Sequence, residues 1–328
     1  MTALHQRVRR TIVRHALCPP GTRLLVALSG GSDSVAMTRL LMELSEHLEF
    51  SVTSLAHLNH RLRETAGRDE QFCRDLADRL GVPLVVEAIE VRPYAAAERL
   101  SLEDAARRLR YDFLQRAARQ VGADRIAVGH TEDDQAETFL LKLVRGAGSN
   151  GLAGIYPQRG AVIRPLLEVS RADLCLYLTT RGQAWVCDET NDDCANPRNR
   201  VRHRVLPELD QAAGGASRSA IARAAALLRD DGVWLDELSR TRFEALATRT
   251  PEGYAIDPAL GQEPLPVRRR VLLQAMRALA GRREVGLDHV EAALAVLTGT
   301  AAAADIPGSR VELRRGRLVL LEQRPVTK

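Results

Sequence analysis

Four times between residues 24 and 146 a short apolar run is followed by a helical pattern, and nothing else in the chain limits its fold so strongly. The run Leu24–Ser29 sits between "PPG" and "GG", and apolar residues then recur at helical spacing through Val35, Met37, Leu40, Leu41, Leu44 and Leu48. "FSVTSLAHLNH" and "AGRDEQFCRDLADRLG" repeat the pair, with Gly81 as the helix stop. "VPLVVEAIEV" precedes "SLEDAARRLRYDFLQRAARQVG", a helix opened by Ser101 with Asp104 three residues on. "ADRIAVGH" then precedes "TEDDQAETFLLKLVRG". Strands alternating with helices imply an α/β fold, a doubly wound parallel sheet whose ligand site lies off the carboxyl ends of its strands.

This pattern stops well before the chain does. At 328 residues and 45% hydrophobic content there is material for two cores. The character changes near residue 212, which divides the chain into domains 1–212 and 213–328. In the second, "QAAGGASRSAIARAAALLRDDGVWLDELSRTRFEAL" reads as one long helix, and "PLPVRRRVLLQAMRALAG" and "LDHVEAALAVLTG" as two more. That domain is expected to be smaller, mainly helical, and closed by a short hairpin with "RRGR" at its turn. It carries 18 arginines and lysines against 14 acids, most of the net +5 of the whole chain. The positive charge is almost all arginine, since Lys142 and Lys328 are the only lysines. Arginine suits phosphate and nucleic acid, and a high-GC codon bias gives the same composition.

No stretch reaches the roughly 18 uninterrupted apolar residues of a membrane span, and no apolar segment of a secretory signal follows the arginine-rich start. The five scattered cysteines, Cys18, Cys73, Cys175, Cys187 and Cys194, read as reduced thiols. The expectation is a cytoplasmic enzyme without a membrane partner.

The first strand-to-helix turn is Ser29-Gly30-Gly31-Ser32-Asp33-Ser34. Unsatisfied amides and the helix dipole favour an anion there, the glycines permit close approach, and the serines offer hydroxyls. Asp33 is the odd member, because a carboxylate beside phosphate is repulsive unless a cation such as Mg2+ bridges them. Asp33 or Ser34 as a simple helix cap is the competing reading.

"SGGSDS" matches the signature of the PP-loop ATP pyrophosphatases and lacks the G-K-[ST] ending of a Walker A loop. Five further blocks follow in order: "AHLNHRLR", "ARRLRYDF", "GHTEDDQAETFLLKLVRGAGSNGLAGI", "IRPLLEVSR" and "DETNDDCANPRNRVRHRVLPEL". Together they resemble the tRNA(Ile)-lysidine synthases within that superfamily. The resemblance is dense from about residue 20 to 210 and weaker beyond. It implies that domain 1–212 is a PP-loop catalytic domain using ATP as co-substrate with Mg2+, and that 213–328 recognises tRNA. The partners implied are an isoleucine tRNA with a CAU anticodon and free L-lysine, with a homodimer common in the family. Longer members carry a further C-terminal domain, which this sequence does not include.

By the same resemblance, Ser29 to Ser34 grip the pyrophosphate portion of ATP, and Asp33 and Asp134 belong to the magnesium and pyrophosphate site. Asp133 lies beside Asp134, and Glu137 one turn along, so this acidic cluster has the charge to hold an ammonium substrate and take its proton. Which carboxylate does which job stays open, and Glu132 reads as a helix-dipole partner. Arg107 and Arg110 are placed near phosphate. His57, Asn59 and His60, at the end of the second strand, and Gly129 and His130, at the end of the fourth, are assigned to the ATP site, with Arg63 within reach of ligand. Arg145, Gly146 and Gly148 belong to a glycine-rich loop expected to close over substrate. Arg198, Asn199 and Arg202 are spaced for tRNA phosphate or sugar, with interdomain salt bridges as the competitor.

Three rivals stand beside this reading. A PP-loop tRNA thiolase needs suitably paired cysteines, and a small-molecule amide ligase leaves the basic second domain unexplained. A non-enzymatic RNA-binding protein would have lost pyrophosphate release.

Overall fold

A computed structural model describes residues 1–62, 65–186 and 196–323. It divides into two compact units, Met1–Arg229 and Asp230–Lys328. The division lies further along than the change of character at 212, because the first half of one long helix packs with the first unit.

In the first unit α1 (Ala3–Arg14) precedes β1 (Arg23–Ala27), α2 (Ser32–Ser45), β2 (Ser51–Asn59), α3 (Ala66–Leu80) and β3 (Leu84–Ala88). Next come α4 (Val91–Glu98), α5 (Leu102–Val121), β4 (Arg125–Ala127), α6 (Glu132–Leu143), α7 (Ser149–Leu152), β5 (Gln158–Arg159), β6 (Val162–Ile163) and α8 (Arg171–Thr179). Then follow α9 (Pro197–Arg200), α10 (Leu206–Ala212) and α11 (Ser217–Leu246), the last running across the division.

The sheet order is β3-β2-β1-β4-β6-β5. All pairings are parallel except the edge pair β5 and β6. From β1 the chain winds outward through β2 to β3, then returns to β1's other side as β4. The carboxyl ends of β1 and β4 are therefore the topological switch point, where such sheets bind ligands.

The continuous apolar run of β1 follows from burial on both faces. Leu24, Val26 and Leu28 join one core with Val35, Leu40 and Leu44 of α2 and Leu174 and Leu178 of α8. Leu25 points the other way, into a core with Phe113, Leu114 and Ala117 of α5. Each such buried leucine contributes about 1.5–3 kcal/mol, so the strand that carries the glycine turn is held from both sides. Ser101 caps α5 as its sequence implies, its Oγ accepting the Asp104 amide at 3.1 Å.

The segment read as one long helix forms one, α11, from Ser217 onward. Gly214 and Gly215 take φ of +67° and +91°, and this left-handed backbone breaks the chain between α10 and α11. Ile221, on α11, packs with Ala136, Val201 and Leu206.

The second unit contains β7 (Ala247–Thr250), β8 (Gly253–Ile256), α12 (Leu265–Ala280), α13 (Leu287–Leu297), β9 (Ala303–Ile306), β10 (Ser309–Arg314) and β11 (Arg317–Glu322). The two expected helices are present, and the expected hairpin is β10–β11, turning at Arg315-Gly316. The sheet is larger than that hairpin: an antiparallel order β7-β8-β11-β10-β9 backs α12 and α13. Among the described residues no helix is long and apolar enough to cross a membrane.

Candidate functional site

The glycine turn sits where the switch point requires. Gly30 has φ +87°, and a Cβ there would come within 3.2 Å of Val186 Cγ2 and 3.5 Å of Cys73 Sγ. Only glycine meets both demands. The Gly30 carbonyl accepts the Val186 amide at 2.8 Å. Ser34 is buried and braces the loop from inside: its Oγ accepts the Ser29 amide at 3.1 Å and donates to the Gly31 carbonyl at 2.9 Å. Ser29 itself is exposed, and Ser32 Oγ donates to Asp33 Oδ1 at 3.1 Å. Gly31 is the N-cap of α2, so the amides of its first turn lack intrahelical partners and, with the helix dipole, favour an anion.

Gly129, at the end of β4, lies against this turn. A Cβ there would approach the Asp33 carbonyl carbon at 3.3 Å and the Ser34 amide nitrogen at 3.4 Å. Gly129→Ala is therefore expected to push the turn aside and weaken ATP binding by about tenfold, or about 1.4 kcal/mol, in a calorimetric titration.

The acids of α6 converge on the same place. Thr131 caps the helix, and Asp134 Oδ2 returns to the Thr131 amide at 2.8 Å, a reciprocal capping box. Asp134 Oδ1 accepts Arg198 Nη2 at 2.9 Å. Burial opposes the charge of Asp134, yet His130, Arg198, Arg171 and the Thr131 amide hold its pKa below the usual carboxylate range. At neutral pH the guanidiniums dominate, because burial pushes the His130 pKa down and leaves that ring uncharged. His130 Nδ1 is buried with no hydrogen-bond partner among the described residues.

Glu137 is fully buried and saturated by two arginines. Arg198 Nε donates to Oε2 at 2.7 Å, and Arg202 donates through Nε to Oε1 at 2.6 Å and through Nη2 to Oε2 at 3.1 Å. Arg198 and Arg202 are four residues apart, spanning α9 and the single π-turn Val201–Val205, so both reach the same carboxylate. A fully desolvated carboxylate needs paired cations, and it draws both guanidiniums inward, within the first unit. Asn199 is buried between them in sequence.

Asp33 meets an arginine that the sequence did not single out. Arg171, first residue of α8, places Nη2 2.9 Å and Nε 3.0 Å from Asp33 Oδ2, and its Nη2 is 3.8 Å from Asp134 Oδ1. Burial still pushes the Asp33 pKa up in spite of this guanidinium. Asp133 accepts the Arg171 amide at 2.8 Å and lies 3.3 Å from Arg218 Nε of α11. Arg171 and Arg164 are the two arginines of the block "IRPLLEVSR", which was the available signal. Arg164 is buried and donates to the Tyr156 carbonyl at 2.7 Å.

Arg107 and Arg110 stay accessible, with guanidinium carbons 5.3 and 5.8 Å from the centre of the Tyr111 ring. Arg107 and Arg108 also line an open cleft of about 710 Å3 with Tyr94, Asp104 and Tyr111. Arg145 and Gly146 are exposed beside Leu143 and Val144, and Gly148 caps α7. The loop's far end is pinned by Gln135, which accepts the Ile155 amide at 2.7 Å and donates to the Ala153 carbonyl at 3.1 Å.

The end of β2 is occupied with holding itself together. His57 Nδ1 is 2.9 Å from the Leu28 carbonyl, and Asn59 donates to Glu70 at 3.0 Å while accepting the Arg61 amide at 3.0 Å. These bonds shape the loop beside the glycine turn. His60 is half-buried, and Arg63 lies outside the described residues. Burial pushes the His57 pKa down. The unfolded chain therefore takes up that proton first, so stability is expected to fall as pH drops below about 6.5, the ordinary histidine value. His57→Gln is expected to flatten that part of a stability–pH curve measured in urea.

Among the described residues no three His, Cys, Asp or Glu gather into a metal cage. Asp33 and Asp134 instead bracket one guanidinium. Two carboxylates fit Mg2+, which takes one or two from protein and fills its shell with phosphate and water.

Comparison with known proteins places the chain in a family. The PP-loop domain family matches residues 2–209. The tRNA(Ile)-lysidine synthase of Geobacter sulfurreducens is 41% identical, over 88% of this chain and 62% of its own length. That of Symbiobacterium thermophilum is 39% identical, over 98% of this chain and 70% of its own length.

The chain belongs to the tRNA(Ile)-lysidine synthase family.

It spans roughly two thirds of the length of these family members, 62% and 70% in the two cases. Among solved structures, the U34-tRNA thiolase NcsA from Methanococcus maripaludis shares the fold, with TM-score 0.56 at 18% identity over 69% of this chain and 77% of that one.

Proposed function

We propose that this chain ligates free L-lysine to the 2-position of the wobble cytidine in the CAU anticodon of an isoleucine tRNA, at the expense of ATP. The carrying observation is the meeting of Asp33 of the glycine turn with Asp134 and Glu137 of α6 around shared arginines. An anion site thus adjoins a carboxylate site.

The cytidine 2-oxygen attacks the α-phosphorus of ATP and pyrophosphate leaves; an amine of lysine then attacks C2, the C2–O bond breaks, AMP leaves, and the amine gives up a proton. The α2 amides and Ser32 hold the departing pyrophosphate, and Arg107 and Arg110 hold the anion of the adenylate. Mg2+, held by Asp33 and Asp134, would neutralise phosphate charge. Glu137 is a positioning residue that fixes Arg198 and Arg202, and the acidic cluster of α6 around it has the charge to meet the lysine ammonium. The first unit supplies this chemistry, and the stretch 213–328, with 18 arginines and lysines against 14 acids, recognises the tRNA; three of those arginines, Arg218, Arg223 and Arg229, lie on the part of α11 that belongs to the first unit.

The thiolase alternative gains nothing from Cys18 and Cys73, and the third described cysteine, Cys175, lies on α8 without a cysteine partner among the described residues. Burial pushes the Cys18 and Cys73 pKa values to about 12, which leaves them inert thiols. The reading is tested by following ATP: AMP and pyrophosphate are expected in equal amounts when the tRNA is present, and ADP formation would contradict it.

A further inference from the structure

The Asp33–Arg171 pair occupies the place that the proposed reaction needs for a cation. Three contacts of 2.9 to 3.3 Å take up both Asp33 oxygens, and the same guanidinium stands 3.8 Å from Asp134. A dication bound to these carboxylates and a guanidinium in this position exclude each other, by volume and by like charge.

The two ends of Arg171 are held differently. Its backbone opens α8, capped by Ser170 and tied to Asp133 at 2.8 Å. Its side chain is 29% accessible and turns about several single bonds. The head group can therefore leave Asp33 while the helix stays in place. The neighbouring anion site is the first turn of α2, on which Asp33 itself lies.

Resting on the ATP and Mg2+ reading above, we propose that Arg171 is a placeholder cation. In the nucleotide-free protein its guanidinium sits between Asp33 and Asp134, and arrival of the magnesium nucleotide moves it onto the phosphates. It prevents two neighbouring carboxylates from repelling each other in the empty site, and it makes divalent-ion binding depend on the nucleotide that offers the guanidinium a new partner.

Mn2+ binding to the full chain, followed by electron paramagnetic resonance without nucleotide, tests this. Arg171→Met is expected to bind Mn2+ at least about tenfold more tightly than the wild type. Arg171→Lys, which keeps a charge but not the fork, is expected to fall between them. The gain is expected to vanish in Asp33→Asn/Arg171→Met, which places the ion at Asp33. Binding of ATP with Mg2+ is expected to weaken by about tenfold in Arg171→Met.

A static salt bridge would leave binding of ATP with Mg2+ unchanged, and that result, or unchanged or weaker Mn2+ affinity in Arg171→Met, would overturn the proposal. Should Arg171→Met fail to melt cooperatively, Arg171→Lys decides, and wild-type or weaker Mn2+ affinity in that variant overturns it. None of these readings depends on lysine transfer, so failure of the proposed reaction leaves a separate mark.

Discussion

Asp33→Asn is expected to cut tRNA-dependent conversion of ATP to AMP and pyrophosphate by about 10³-fold, the loss typical of removing a main electrostatic group from a phosphate or oxyanion site. The substitution keeps the size of the side chain and removes the charge. Asp33 is the acid in the first turn of α2; on the proposed ATP reading its carboxylate would stand against the phosphates, tolerable there chiefly as a cation ligand. The fold is expected to survive, since Arg171 keeps Asp134 as a neighbour at 3.8 Å. Near-normal pyrophosphate release by a variant with the wild-type melting curve would mean that Asp33 is a helix-cap residue and no more.

The largest stability effect belongs to Glu137. Its side chain has no accessible surface and neutralises two guanidiniums at 2.6 and 2.7 Å. Glu137→Ala leaves Arg202 facing Arg198 with one remaining acid, Asp134, between them, and removing one partner of a buried ion pair costs about 3–5 kcal/mol. Urea unfolding is expected to show a loss of that order, together with loss of activity as α9 and α6 separate. A loss below about 1 kcal/mol would show that water already reaches this carboxylate.

The doubly wound sheet was legible because β1 is buried on both faces and flanked by glycine and proline, so its apolar run admits few other readings. Short pieces were not. β5 and β6 are two residues each, α4 breaks after eight, and α8 follows an irregular stretch, so none repeats its period often enough to stand out. In the second unit, β7 and β8 are four-residue strands whose stability comes from pairing with distant β11 and not from their own composition.

The site shows the same division. Local chemistry placed the glycine turn and the acids of α6 correctly on their elements, since caps and helix termini depend on neighbours in sequence. Partnerships across the chain were hidden. Nothing near Arg171 shows that it meets Asp33, 138 residues away, and nothing near Arg198 shows that a buried Glu137 would draw it inward. His57 and Asn59 are read as ATP contacts from their position alone, and their bonds include those to the Leu28 carbonyl and to Glu70. A polar residue at a strand's end serves loop or ligand equally well until its partners are known.

The most direct test is transfer of labelled lysine from solution into an unmodified isoleucine tRNA transcript with the CAU anticodon, with ATP and Mg2+, against an initiator methionine tRNA. Incorporation into the isoleucine transcript alone, in step with AMP release, is the expected result. AMP and pyrophosphate formed without lysine incorporation would contradict the account and require a different nucleophile at this site.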